Sequence, residues 1–321
     1  MSTIRCVYQS LPPFPATDQH PDAVRYVIAS AMAPIGVYWV DAIGGEPTVV
    51  EVEAIVKPAA RAALAARTRL SGDVAFYVSS TGSDTTGDGS SALPWATIGK
   101  VYAHAQKNLD LAGFAVNCYL QDAYTTGDIL VGPLAGAKGP HSFVIRGTAD
   151  DRSRMFSGYV YAQNGAQCRL RYLQAQPSFG SCVVVTDGVV EFGDININTF
   201  GNGPMFNAAG PRAKVRQVGP CTLVGVASCR HVFIAEMGAH IELPESFDIA
   251  GAPAWTSAFV QADLGGRIDG TGFSCGAGAA TGSRYTAASL GIVFTGAAAG
   301  SSDPNFYPGS LPGSSAGGFY Q

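Results

Sequence analysis

The chain of 321 residues is 47% apolar and only 14% charged, with 40 glycines and a formal net charge of −4. This composition excludes a disordered tail and a helical bundle and points to an all-β protein with many tight turns. With no basic stripe to neutralise phosphates, a nucleic-acid partner is not expected.

Residues 1–70 differ from the rest and are expected to form a small α/β module. The opening Met-Ser-Thr-Ile-Arg leads into Pro-rich polar sequence without the apolar run of a secretory leader, so none is expected. Pro12, Pro13, Pro15 and Pro21 keep the first segment extended. Val24–Ala29 and Gly36–Val40 read as short strands. The most apolar stretch, Tyr26 to Val40, is broken by Pro34 and Gly36 and is too short for a bilayer, so no membrane insertion is expected. Val49, Val52, Ile55 and Val56 stand at helical spacing, and the Ala/Arg run from Ala59 to Arg69 is a helix former. Two readings of this module stay open: a cap on the rest of the chain, or an attachment module that fixes the chain to something larger.

The character changes at Phe76. A strand leads into a loop of glycine, serine, aspartate and threonine, then a Pro94-Trp95 corner and an amphipathic helix from about Ala96 to Lys107. A helix laid across the first coil of a solenoid covers its exposed end.

Residues 71–280 are expected to hold that solenoid. Five segments share a short apolar strand, a turn at or beside glycine, and a second alternating strand: Tyr159 to Leu170, Cys182 to Phe192, Pro204 to Val215, His231 to Leu243 and Ala258 to Asp269. Their glycines, Gly165, Gly188, Gly210, Gly238 and Gly265, lie 23, 22, 28 and 27 residues apart. Such a period marks stacked repeats that bury each other's apolar faces. The expected fold is an all-β, right-handed parallel β-helix of roughly seven coils. Residues 281–321 form a Gly-rich C-terminal segment.

Aligning the second strands predicts an outward column of Arg169, Glu191, Lys214, Glu242 and Asp269, a charge ladder whose last two members are like-charged. A further column stacks Glu236 on Asp263. Stacked carboxylates about 5 Å apart are what a retaining glycosidase uses, and they push one pKa upward. The pairs Glu236/Asp263 and Glu242/Asp269 are therefore the catalytic candidates if the chain is an enzyme. The alternative is that they are solvated surface acids. For sugar rings, Trp255 offers a flat face from a long turn, while Tyr159, Tyr161, Tyr172 and Phe179 stand beside Gln163, Gln174 and Gln176. Arg169 and Arg267 add outward hydrogen-bond donors.

The seven cysteines (Cys6, Cys118, Cys168, Cys182, Cys221, Cys229, Cys275) show no C-x-x-C and no paired histidine spacing. Reduced, buried thiols of a protein assembled in a cytoplasm are expected, with no disulfide framework, metal site or cofactor. His231 and His240 are expected in surface or core roles. No G-x-S-x-G elbow and no lyase-type base beside clustered aspartates is present.

Tyr77, Val78, Ser79, Gly82, Asp84, Gly87, Pro94, Trp95, Ala96, Thr97 and Ile98 match the pattern Y-V-S-x-x-G-x-D-x-x-x-G-[ST] leading to P-[FW]-A-T-I. In this the segment resembles the start of the pectin-lyase-like β-helices of phage tail spikes and tail fibres. The stretch Gly282 to Gln321 is similar to their Gly-rich endings, with Leu290-Gly291 where Asn-Gly is common. The likeness covers about 245 of the 321 residues. It implies a spike or fibre component of a phage or phage-like virion, assembled in the bacterial cytoplasm as a homotrimer. Residues 1–70 would join other virion proteins, and the β-helix would bind host cell-surface polysaccharide. Two alternatives stay open: a depolymerase that cleaves that polysaccharide, and a spike base that docks another fibre protein.

Overall fold

The computed structural model describes residues 23–30, 33–41, 67–177, 180–225, 228–276, 279–296, 303 and 305–321. The chain divides into two units, residues 1–66 and 67–321. In the first, Ala23–Ser30 and Ala33–Asp41 pair antiparallel, on the two runs expected to be strands. The helices expected between Val49 and Ala66 lie outside the described residues. At the end of that run, Thr68–Arg69 is a strand paired with Leu109–Asp110.

The second unit is a parallel β-solenoid of about seven turns. Each complete coil presents three faces. The first face runs through Gly127–Val131 and Tyr159–Gln163, then the leading halves of Val183–Gly193 and Pro204–Gln217. It continues through Ser228–Glu236, Ala254–Ala262, Thr281–Ala288 and Ser314–Ala316. The second face runs from Val74–Val78 through Val116–Leu120, Phe143–Gly147 and Ala166–Arg171. It then takes the trailing halves of the two long strands and His240–Glu242, Arg267–Asp269, Ile292–Phe294 and Phe319–Tyr320. The third face stacks Met155–Phe156, Gln174–Ala175, Asn196–Thr199, Cys221–Gly225, Ser246–Gly251 and Ser274–Cys275. All of these pairings are parallel.

Alternation along each strand decides what fills the interior. Cys168, Val190, Val215, Ile241, Ile268 and Val293 form one buried column in register. Aromatic rings thread the core beside it: Phe192 lies 4.5 Å from Phe206 and Phe206 lies 5.2 Å from Phe233, centroid to centroid. Of the six cysteines among the described residues, five are buried, as the sequence leads one to expect, and Cys275 is half-buried.

Two details of register differ from the repeat alignment. The second and third repeats do not break at glycine; Val183–Gly193 and Pro204–Gln217 are continuous strands. The register also shifts between Val185 and Asp187, which oppose Ala208 and Arg212, so Pro204–Gln217 holds two extra residues at a bulge. The charge column therefore reads Arg169, Glu191, Arg216, Glu242, Asp269, with Lys214 one outward position earlier, between Val189 and His240.

The N-terminal end is closed by the helix Ile98–Asn108, which buries Ile98, Val101, Tyr102 and Ala105 at helical spacing. Its cap residue, Thr97, accepts the Lys100 amide at 3.1 Å. The loop before it is held by Asp84, which accepts the Ala96 amide at 2.9 Å and the Thr97 hydroxyl at 2.7 Å. Trp95 is buried and donates to the Gly87 carbonyl at 2.8 Å. The residues that carry the family resemblance are thus those that fold the loop onto the helix. Beneath it lies Asp128, which accepts the Gly99 amide at 2.9 Å and the Tyr124 hydroxyl proton. Burial, the larger effect, pushes its carboxyl up to about 6. Near the other end Tyr307 is fully buried against Phe259 and Phe273, so the Gly-rich segment contributes more apolar bulk to the core than its composition suggests. Among the described residues no helix is long and apolar enough to cross a membrane.

Candidate functional site

The most chemically distinctive cluster lies where the second face turns into the third. One outward column of the second face stacks Tyr77, Tyr119, Arg146 and Arg171 in register. The rings of Tyr77 and Tyr119 are 5.3 Å apart and nearly parallel. The Arg146 guanidinium sits 5.2 Å from the Tyr119 ring and 4.7 Å from that of Tyr172, and Arg171 sits 4.7 Å from Tyr172. Tyr172 reaches this position with φ of 50°, a left-handed conformation costing about 1–2 kcal/mol for an L-residue. Two cation–π contacts of about 0.5–1 kcal/mol each offset that cost.

A loop then carries more charge over the same corner. After Phe143–Gly147 the chain leaves the solenoid through residues 148–154, and Arg152 extends over later coils. Its guanidinium lies 3.5 Å from Asp194 and 3.4 Å from the Thr222 hydroxyl, and its carbonyl accepts the Asn196 side-chain amide at 3.4 Å. Asp194 also receives Arg171 through both Nε and a terminal nitrogen, at 2.8 and 2.6 Å. Arg146 pairs with Asp150. The Nε groups of Arg146 and Arg154 are buried without a hydrogen-bond partner. Asp151 is held below the usual carboxylate range by the Ser153 amide and hydroxyl. At Asp122 burial acts upward, but the Ser80 amide and the Ser79 and Ser80 hydroxyls outweigh it and leave the carboxyl low. Four arginines thus face four carboxylates that include these two ionised acids, and the cluster is near neutrality.

The third face continues the site as a row of uncharged polar side chains. Gln174, Asn196 and Thr222 are register partners, and the row ends on Asp248. The Gln176 carbonyl oxygen accepts from Asn198 at 2.7 Å and from Gln174 at 3.3 Å. Asn198 Oδ1 is buried with no partner. A stiff surface of amides, guanidinium groups and an aromatic ring held beside two of them is suited to sugar hydroxyls and ring faces.

The residues expected to meet a glycan do not form one groove. Tyr172 and Gln174 are in the cluster just described. Tyr159 and Tyr161 belong to the first face: Tyr159 is exposed with its ring over Gly127, and Tyr161 bonds the Thr186 hydroxyl at 3.3 Å. Phe179 lies outside the described residues. Arg169 and Arg267 stand on the second face, engaged with Glu191 at 2.5 Å and Asp269 at 2.9 Å. Trp255 is not in an exposed turn. It belongs to the strand Ala254–Ala262, is 3% exposed, donates to the Ser283 carbonyl at 2.6 Å and packs on Phe259. Strand alternation turns it into the core, where it offers no face to a sugar.

Of the two carboxylate pairs, Glu242 and Asp269 are register partners. Each is compensated: Glu242 by Lys214 at 2.7 Å and Arg216 at 3.3 Å, Asp269 by Arg267 at 2.9 Å. Burial pushes Asp269 up, but the Thr271 hydroxyl and amide and Arg267 outweigh it and hold the carboxyl below its ordinary value. It is therefore not the raised acid that a retaining pair requires. Glu236 and Asp263 come directly after the register partners Ala235 and Ala262 at a turn of the first face, where Asp263 accepts the Leu264 amide at 2.8 Å. Asp128, the carboxyl pushed up by burial, is 7% exposed and closed in beneath the capping helix. Among the described residues no group of three or more His, Cys, Asp or Glu side chains is arranged to hold a metal ion.

Arg146, Arg152, Arg171 and Asp194 are not singled out by the repeat pattern, because all four lie outside the five repeat segments. The dense charge of residues 148–154 was the available signal. The chain matches no protein-family model, no curated protein and no solved structure.

Proposed function

We propose that this protein is a spike or fibre component of a phage or phage-like virion that binds host cell-surface polysaccharide along the corner built by Tyr172. The observation that carries the reading is the half-buried Tyr172 ring held beside the guanidinium groups of Arg146 and Arg171, continuous with the amide row of Gln174 and Asn196. Ring stacking onto the tyrosine and hydrogen bonds from amides and guanidinium groups are the two interactions a pyranose accepts. A rigid solenoid repeats the polar surface every 4.8 Å or so along its axis, so a long polymer gains from several weak contacts at once. The near-neutral charge of the cluster favours glycans that are recognised through hydroxyl groups rather than through net charge. In this reading residues 1–70 join other virion proteins and the mature particle is where the protein acts.

The test is binding of purified host surface polysaccharide by the full chain and by Tyr172→Gly. Glycine accepts the left-handed backbone without strain, so the fold survives while the ring is lost. A loss of binding of about tenfold or more is expected from stacking of this kind. Unchanged binding sinks the assignment of this corner.

A further inference from the structure

A cavity of about 80 Å³ lies among the first coils, apart from the Tyr172 corner. Three elements wall it: Tyr102 of the capping helix, the segment 132–142 that leads from the first face to the second, and Phe143 and Gln167 on two neighbouring strands of the second face. The segment is held from several sides. Leu111 and Gly113 donate their amides to the Ala135 and Gly136 carbonyls, each at 2.8 Å. The Tyr102 hydroxyl donates to the Gly132 carbonyl at 2.6 Å, and the Ser142 amide to the Gly139 carbonyl at 2.9 Å. Walls fixed before a ligand arrives cost little ordering on binding.

The lining selects by polarity and charge. Leu134 and Phe143 are buried and give the cavity an apolar floor. No charged side chain lines it, so a carboxylate, phosphate or ammonium group would enter without a counter-charge. Two polar side chains have bonds to give. Ser142 is buried, and its hydroxyl accepts the Lys138 amide at 3.0 Å, which leaves its own proton without an acceptor among the described residues. Gln167 faces outward on its strand between inward Ala166 and Cys168, half-buried, and its side-chain amide makes no hydrogen bond among the described residues.

Size narrows the choice further. An apolar cavity of about 150 Å³ admits a benzene ring. The volume here is about half of that, room for about three or four heavy atoms. That is too little for a sugar ring and enough for one substituent. A methyl group alone leaves Ser142 and Gln167 unpaired, and a hydroxyl leaves the apolar floor uncovered. An acetyl ester brings a methyl and an acceptor but no donor for the Gln167 side-chain oxygen. An acetamido group brings all three: a methyl for the floor, a carbonyl to accept from Ser142, and an N–H for Gln167.

We propose that this cavity binds the acetamido group of an N-acetylated sugar. The group follows from the cavity alone; that a sugar carries it rests on the reading of the protein as a glycan binder. Gln167 and Tyr172 stand about 17 Å apart along the second face at about 3.3 Å per residue. A polymer laid across that face meets both sites.

The experiment is saturation-transfer difference NMR on the full chain, with circular dichroism as the check on folding. The probes are N-methylacetamide and N-acetylglucosamine. Both are expected to bind in the millimolar range through the acetyl methyl and to displace one another, whereas glucose, glucosamine and acetate do not displace N-methylacetamide. Ala137→Leu, at an exposed position on the cavity's rim, is expected to abolish both acetyl-methyl signals. Gln167→Leu is expected to weaken both probes about tenfold. Absence of N-methylacetamide binding overturns the proposal. So does N-methylacetamide binding that N-acetylglucosamine does not displace, or acetyl-methyl signals that Ala137→Leu leaves intact. N-methylacetamide probes the cavity without any polysaccharide, so a failure here and a failure of adhesion at the Tyr172 corner are read separately.

Discussion

Asp128 makes the solenoid's N-terminal cap sensitive to pH in a direction opposite to that of most carboxylates. Burial raises its carboxyl from 3.8 to about 6, while the Gly99 amide acts against burial. A carboxyl raised on folding stabilises the fold where it is protonated in both states, below about 3.8. That contribution is lost as pH rises through about 6. The move corresponds to about 3 kcal/mol between pH 4 and pH 7. Other acids titrate over the same range, so the measurement is a difference: urea unfolding of the wild-type chain against Asp128→Asn, monitored by tryptophan fluorescence. Asparagine keeps an oxygen for the Gly99 amide and carries no charge. The two proteins are expected to be similar at pH 4, with asparagine gaining by up to about 3 kcal/mol at pH 7. A difference that does not change with pH, or an asparagine variant that is the weaker one at pH 7, refutes the reasoning.

Trp255→Ala is expected to cost about 3–5 kcal/mol in an unfolding titration, because Trp255 fills the core beside Phe259. Polysaccharide binding by the surviving folded fraction is expected to be unchanged. Cys168, pushed up to about 12 by burial, is expected to stay inert to thiol reagents in the native protein at pH 8, whereas half-buried Cys275, pushed up to about 11, reacts first among the described thiols. Mass spectrometry of the labelled peptides reads this directly; rapid labelling of Cys168 without unfolding contradicts the core assignment. His231, brought down to about 4 chiefly by burial, is expected to remain neutral throughout pH 5–8, with its ring carbon protons showing no titration by NMR.

The solenoid was legible because period and alternation are properties of the chain itself. The five repeats, the capping helix and the two N-terminal strands emerge from spacing alone, and the structure places them within a few residues of expectation. The alignment failed at Gly210, since glycine marks a turn in one coil and a bulge inside a continuous strand in another. Backbone freedom is common to both uses, so glycine by itself does not fix register. Trp255 was misplaced because a Gly/Pro-rich flank reads as a turn, whereas packing against Phe259 and Ser283 draws the adjoining residues into a strand. The Arg–Tyr–Asp corner was legible only in part. Tyr172 and Gln174 stand just after the first repeat and were named for their side-chain chemistry, but Arg152 meets Asp194 across 42 residues, through a loop whose path no periodicity encodes.

Adhesion is tested most directly by incubating the purified full chain with host surface polysaccharide and sizing both protein and polymer. An intact polymer that co-elutes with the protein is the expected result. A shortened polymer would make the chain a depolymerase and return attention to Glu236, Asp263, Glu242 and Asp269. No association at all would contradict adhesion and favour a spike base that docks another fibre protein.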